Sequence, residues 1–132
     1  MPTSEQVITS VPDGLEMAAS VIETHGWHQR DWFTASEDHR PKVDALGAIN
    51  VAYGREPDAI CHVEGGLVYA AFLALAAHVD SIVADARYAG EIVDFQRIVD
   101  AISVWNDRPR RASEEVVRTL RYVADLERRS DG

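Results

Sequence analysis

At 132 residues, the chain is sized for one domain that buries about two-thirds of the surface its unfolded form exposes. Apolar residues make up 46% and charged residues 27%, a globular balance that excludes wholesale disorder. The net charge of −9 is uneven: residues 1–107 hold 6 Lys/Arg against 17 Asp/Glu, residues 108–132 hold 7 against 5, and so acidic a bulk excludes a binder of nucleic-acid phosphate backbones.

The pattern of apolar residues predicts an all-α, single-domain bundle of four to five helices. Residues 1–11 form a flexible N-terminal lead, 12–129 the helical domain and 130–132 a tail. Asp13 caps the first helix, with Glu16 three residues on in a capping-box arrangement. Leu15, Ala18, Val21 and Ile22 follow at helical spacing, and Gly26 ends the run. Residues 27–41 show no sustained period and hold Trp27, His28, Trp32 and Phe33 before Pro41. They read as a long loop pinned by its aromatic side chains, a length associated with function or mobility.

A second helix is expected from Lys42 to Tyr53, with Val43, Leu46, Ile49, Asn50 and Tyr53 on one face and Gly54 as its stop. Gly47-Ala48 in its middle favours close approach of a neighbour. Pro57 opens a loop or short turn reaching Gly65-Gly66. The third helix, Leu67 to about Arg87, is apolar nearly all round at its start, the mark of a central, most buried helix. Gly90 separates it from a fourth over Glu91–Trp105, and a fifth begins at Ser113, capped by that serine, with Glu114 and Glu115 at its positive end and Arg128 and Arg129 at its negative end. Strand-period alternation and hairpin dipeptides are absent from the sequence.

Between the last two helices lies Trp105-Asn106-Asp107-Arg108-Pro109. Pro109 disfavours helical geometry at Arg108 and contributes no N–H. An Asx-turn from Asn106 to the Arg108 N–H is therefore open to the chain, whereas the equivalent turn from Asp107 is not. Asp107 is left to pair with Arg110, Arg111 or a donor elsewhere. The segment is foremost a structural joint, with its exposed arginines as a recognition alternative. Arg110-Arg111-Ala112-Ser113 also has the form of a basic kinase site, against which Ser113 reads better as a helix cap.

The remaining reactive side chains offer little. Cys61 is the single cysteine, which rules out an internal disulfide and a cysteine-based zinc ribbon. His25 and His28 have an H-x-x-H spacing but share no obvious helix face, and a metal site is not expected. Cys61 with His62 or His78 has the composition of a nucleophile–base pair, but no local feature activates the thiol. Glu91, Asp94 and Asp100 read as a solvated face. No phosphate loop, cofactor or catalytic residue is expected. The strongest apolar run, Leu67–Ala77, is far short of a bilayer span, and the first eleven residues lack the form of a signal peptide, so a cytoplasmic protein is expected.

His25-Gly26-Trp27, Leu46-Gly47-Ala48-Ile49, Trp105-Asn106-Asp107-Arg108-Pro109 and Glu115-Val116-Val117 together resemble a family of small helical proteins of actinobacteria and their bacteriophages, over roughly residues 13–127. The resemblance implies a helical fold and an actinobacterial or actinophage source, and it implies no activity. An almost all-arginine basic set, with Lys42 the exception, agrees with such a high-GC source. Relatives often carry a cysteine shortly before the Leu-Gly-Ala stretch, where this chain has Val43-Asp44.

The expected function is that of a non-enzymatic interaction module with a protein partner, monomeric or homodimeric, with no membrane and no nucleic acid bound directly. The candidate residues are Trp27, His28, Trp32, Phe33, Asp107, Arg108, Arg110 and Arg111, aromatic and arginine types that interfaces favour. The alternatives are a small-molecule site or accessory enzyme between loop 27–41 and the helical core, and an acidic mimic of nucleic acid.

Overall fold

A computed structural model describes residues 7–30, 32, 42–60 and 66–131. Among them are six helices and no strand: α1 (Val11–His25), α2 (Ala45–Ala52), α3 (Leu67–Val79), α4 (Ser81–Tyr88), α5 (Phe95–Asn106) and α6 (Ser113–Asp131). The all-α class holds, and the count exceeds the expected four or five because the third predicted helix is two. Asp80 breaks it. Its backbone is extended (φ −141°, ψ 115°) and its carboxylate accepts the Ile82 and Val83 N–H groups, so it caps α4 while ending α3. An aspartate that bonds its own downstream N–H groups offers the chain an alternative to continuous helix.

Other ends shift for equally local reasons. The first helix is capped by Ser10, whose Oγ accepts the Asp13 N–H at 3.2 Å, rather than by Asp13. Pro12 fits inside the first turn because no intrahelical partner is needed there. The second helix starts at Ala45, not Lys42, because Asp44 accepts the Gly47 N–H at 2.7 Å. Gly54, at φ +77°, closes α2: Gly54 N donates to Val51 O and Arg55 N to Asn50 O, the paired bonds of a Schellman ending. Gly90 does the same for α4 with Arg87 O and Ala86 O, which moves the start of α5 from Glu91 to Phe95. The last helix is capped from Ala112, not Ser113: Ala112 O accepts the Val116 N–H, and Glu115 reaches back to the Ala112 N–H.

Helix α3 packs against every other helix and is central, as expected. The most completely buried element is instead α2, all of which is buried except Val51. Leu15, Ala18, Ala19 and Ile22 of α1 meet Val116, Leu120, Val123 and Ala124 of α6 in the core. Phe72 and Phe95 pack edge to face at 5.3 Å and seat α5 on α3. Bidentate Arg121–Glu23 and the Arg128–Asp13 contact join α6 to α1, so the basic end of the chain partly covers its own acidic face.

Two glycines are required by proximity. A Cβ on Gly14 would lie 2.0 Å from the Tyr53 Oη, which itself donates to Ser10 O. A Cβ on Gly47 would lie 2.3 Å from the backbone oxygen of Trp32. That oxygen accepts the Asp44 N–H, so it cannot retreat without breaking the link between loop and helix. Gly47→Ala is expected to lower the unfolding free energy by about 2 kcal/mol or more despite alanine's better helix propensity. Gly90→Ala, with open space around it, is expected to cost only about 1 kcal/mol of left-handed strain. Urea unfolding followed by helical circular dichroism measures both, and equal losses would refute the close-approach account.

Candidate functional site

Asn106 ends α5 on the same face as Ile98 and Ile102, and like them it is fully buried. A buried amide must find partners for two donor and two acceptor positions. Asn106 finds all four. Its Oδ1 accepts the Trp27 indole N–H at 2.9 Å and the Ala45 N–H at 3.1 Å. Its Nδ2 donates to His28 O at 3.1 Å and to Asp107 Oδ1 at 3.0 Å. The indole and the backbone amide are donors only, which fixes the orientation of the side chain. The expected local Asx-turn is replaced by a clamp across nearly 80 residues of sequence.

The segment after α1 is built around this clamp. Trp27 and Val43 form an isolated parallel bridge, with His28 N donating to Val43 O and Val43 N to Gly26 O. Gln29 Nε2 donates to the carbonyls of Asn106 and Arg108. Asp107 Oδ1 accepts the Arg30 N–H at 2.7 Å, the remote donor that its lack of a local turn left open. Arg30 sits at φ +82° and Arg110 at φ +69°, so both flanks of the knot carry a residue in a conformation that side chains disfavour. Arg111 lies 4.8 Å over the Trp105 ring, donates to Trp105 O and pairs with Glu115.

The predicted candidates therefore divide. Trp27, Asp107 and Arg111 are bound into the interior network, His28 enters it through its backbone, and Trp32 is half-buried against the core. Arg108 and Arg110 are exposed. Phe33 lies outside the described residues, as do Cys61, His62 and most of the 27–41 loop. His25 ends α1, and His78, exposed on α3, packs against Tyr122 at 5.4 Å between ring centres. Among the described residues, no group of three His, Cys, Asp or Glu side chains is placed to hold a metal ion. No helix is long and apolar enough to cross a membrane, again among the described residues.

Asp44, 3% exposed, is the least expected group in the knot. Burial pushes its pKa up to about 7; the Gly47 N–H works against that rise and the nearby Asp107 carboxylate adds to it. Sequence pattern misses it because the position falls where an apolar start to the second helix is expected.

Sequence pattern also misses an open groove on the far side of α3. It has a volume of about 420 Å³ and lies between α4 and α6, with Ala74, Ala77, Ala84, Val123 and Leu126 among its walls. Arg87 and Glu127 close one side by a bidentate ion pair at 2.8 and 3.2 Å. Tyr88, 96% exposed, stands on the rim. The alanines at 74, 77 and 84 that line it carry no signal in the sequence that separates a trough from a packed interior.

Removing the clamp strands several buried partners at once. Asn106→Leu leaves the Trp27 and Ala45 donors and the His28 carbonyl unpaired, and is expected to cost on the order of 3 kcal/mol, with increased quenching of Trp27 fluorescence by iodide. Unchanged stability would refute the role of the amide. Asp44 generates a pH dependence. A carboxyl that titrates at its ordinary value of 3.8 in the unfolded chain and at about 7 in the fold holds its proton more tightly when folded. Its contribution to stability is complete below about pH 4 and is lost as pH rises through 7. Unfolding free energy should therefore fall by on the order of 2 kcal/mol between about pH 5 and about pH 8. Asp44→Asn, which keeps a capping oxygen, should flatten that slope; an unchanged slope in the variant would assign it to other groups.

Neither a curated protein nor a solved structure matches the chain. A family model does match, over residues 7–126, and by that extent the chain belongs to the family of unknown function DUF6197.

Proposed function

We propose that the chain is a non-enzymatic protein-interaction module that binds through the groove between α4 and α6. The observation that carries this reading is Tyr88, a large aromatic side chain 96% exposed at the edge of an apolar trough. Tyrosine is enriched among the residues that anchor protein interfaces.

The chemistry of the groove favours binding over catalysis. Of its polar lining groups, Arg87 and Glu127 are bonded to each other, His78 packs on the Tyr122 ring, and Tyr88 stands out on the rim. A small-molecule site ordinarily presents several convergent polar groups. The close carboxylates of the knot, Asp44 and Asp107, accept backbone N–H groups and serve the fold. We assign the Trp105–Pro109 segment the part of a structural signature. In this reading the source is an actinobacterium or one of its bacteriophages, and in the phage case the partner is a host protein.

A photo-cross-linking phenylalanine analogue at position 88 tests the reading in an actinobacterial host. Discrete protein adducts are expected from position 88 and not from position 104, where Val104 is exposed on α5 outside the groove. Identical adduct patterns from the two positions, or none from either, would sink it.

A further inference from the structure

We propose that Arg30, Arg108 and Arg110 form a second interaction surface, independent of the groove, that binds a carboxylate-rich segment of a partner protein.

The three arginines come from distant parts of the chain and are brought to one corner of the molecule by the knot. Asp107 Oδ1 accepts the Arg30 N–H at 2.7 Å, and Gln29 Nε2 donates to Arg108 O at 3.1 Å. Arg108 O also accepts the Arg111 N–H at 3.0 Å, which closes a turn over Arg108-Pro109-Arg110-Arg111. Proline in its second place and φ +69° at Arg110 in its third make it a type II turn. The knot therefore uses backbone atoms of Arg30 and Arg108 and leaves the side chains over. Those of Arg30, Arg108 and Arg110 are exposed and form no hydrogen bond or ion pair among the described residues. Arg111 differs: it pairs with Glu115 and lies over the Trp105 ring.

The backbone points to a task for these side chains. The third place of a type II turn suits glycine or asparagine. Arg30, at φ +82°, is left-handed as well, and the other positive-φ residues among those described are all glycines. Two arginines are thus held side by side in conformations that glycine adopts without strain. Strain kept at a surface position is a pointer to function, and no contact among the described residues employs either guanidinium.

The chemistry selects the partner. A guanidinium fork meets a carboxylate through two parallel hydrogen bonds, a geometry that lysine lacks. Single exposed ion pairs contribute little, so an open patch of three favours a segment that presents several carboxylates together. The turn and the knot fix the backbone beforehand, which lowers the ordering cost of binding. The chain as a whole carries a net charge of −9. A long polyanion or an anionic membrane would run from the patch onto repulsive surface, whereas a short acidic segment covers the patch alone.

The test uses the full chain and a labelled peptide of about 12 residues rich in Asp and Glu, beside an Asn/Gln peptide of equal length. Fluorescence anisotropy at low salt reads the binding. Saturable binding of the acidic peptide that weakens with added salt is expected, and none of the Asn/Gln peptide. Arg108→Glu with Arg110→Glu is expected to weaken binding about tenfold or more. Arg110→Gly is expected to weaken it about threefold while melting no lower than the wild type, because glycine relieves the left-handed strain. No binding of the acidic peptide, equal binding of the Asn/Gln peptide, or unchanged affinity in the charge-reversed variant would each overturn the proposal. A lower melting temperature for Arg110→Gly would overturn it too, by giving that side chain a structural role. Tighter binding of a single-stranded oligonucleotide, or self-association of the chain that the charge reversal abolishes, would reassign the patch to nucleic acid or to a second copy. Cross-links from position 88 bear on the groove alone, so the two readings fail separately.

Discussion

The fully buried amide of Asn106 is the constraint on which the arrangement of this bundle depends. Residues 26–28 and 43–45 bring backbone polar groups together beside the core, and a single bridge at Trp27 and Val43 answers only some of them. An apolar residue at position 106 would fill the space and leave the others stranded, at a cost of about 1–3 kcal/mol for each. Asparagine has two donors and two acceptors in one plane, and here each has a partner. The end of α5, the start of α2 and the segment leaving α1 are thereby held in one register. Asp44 and Asp107 extend the same logic with carboxylates that accept backbone N–H groups. Burial, with a second acid close by, is what makes Asp44 hold its proton.

Much of this is legible from apolar spacing, and the failures share a cause. The helical faces of α1, α3, α5 and α6 follow from a 3.6-residue period that side-chain burial imposes. The helix ends depend on local capping bonds, which period does not report: Ser10 prevails over Asp13, Asp44 caps a helix whose apolar pattern reaches back to Lys42, and Ala112 with Glu115 prevails over Ser113. Asp80 splits a helix whose apolar pattern continues through the break. Asn106 stands at a helix end, as its sequence context indicates, yet it forms no local turn, because an Asx side chain bonds near or distant backbone with equal ease. Its position one turn beyond Ile98 and Ile102 on the buried face carries the correct answer. The groove is illegible for a different reason: a hollow between helices is set by their relative placement, and alanines at 74, 77 and 84 fit a packed interior as well as an open trough.

The two halves of the molecule consequently differ in what their polar groups do. Around Asn106 they are buried or half-buried and directed at one another, so substitutions there act on folding. Around α4 they lie on the surface. Helix α4 buries Val83 alone among its side chains and is held by α3 and by the ion pair from Arg87 to Glu127, with Arg97 gripping its cap at Asp80. Exposed ion pairs of this kind are worth about 1 kcal/mol or less. An element with so little buried surface is drawn from the low-stability end of a fold. The Trp105–Pro109 joint, through Asn106 and Asp107, thus fixes the scaffold. The groove walls of α4 and the end of α6 lie outside that network, where substitutions act least on the scaffold.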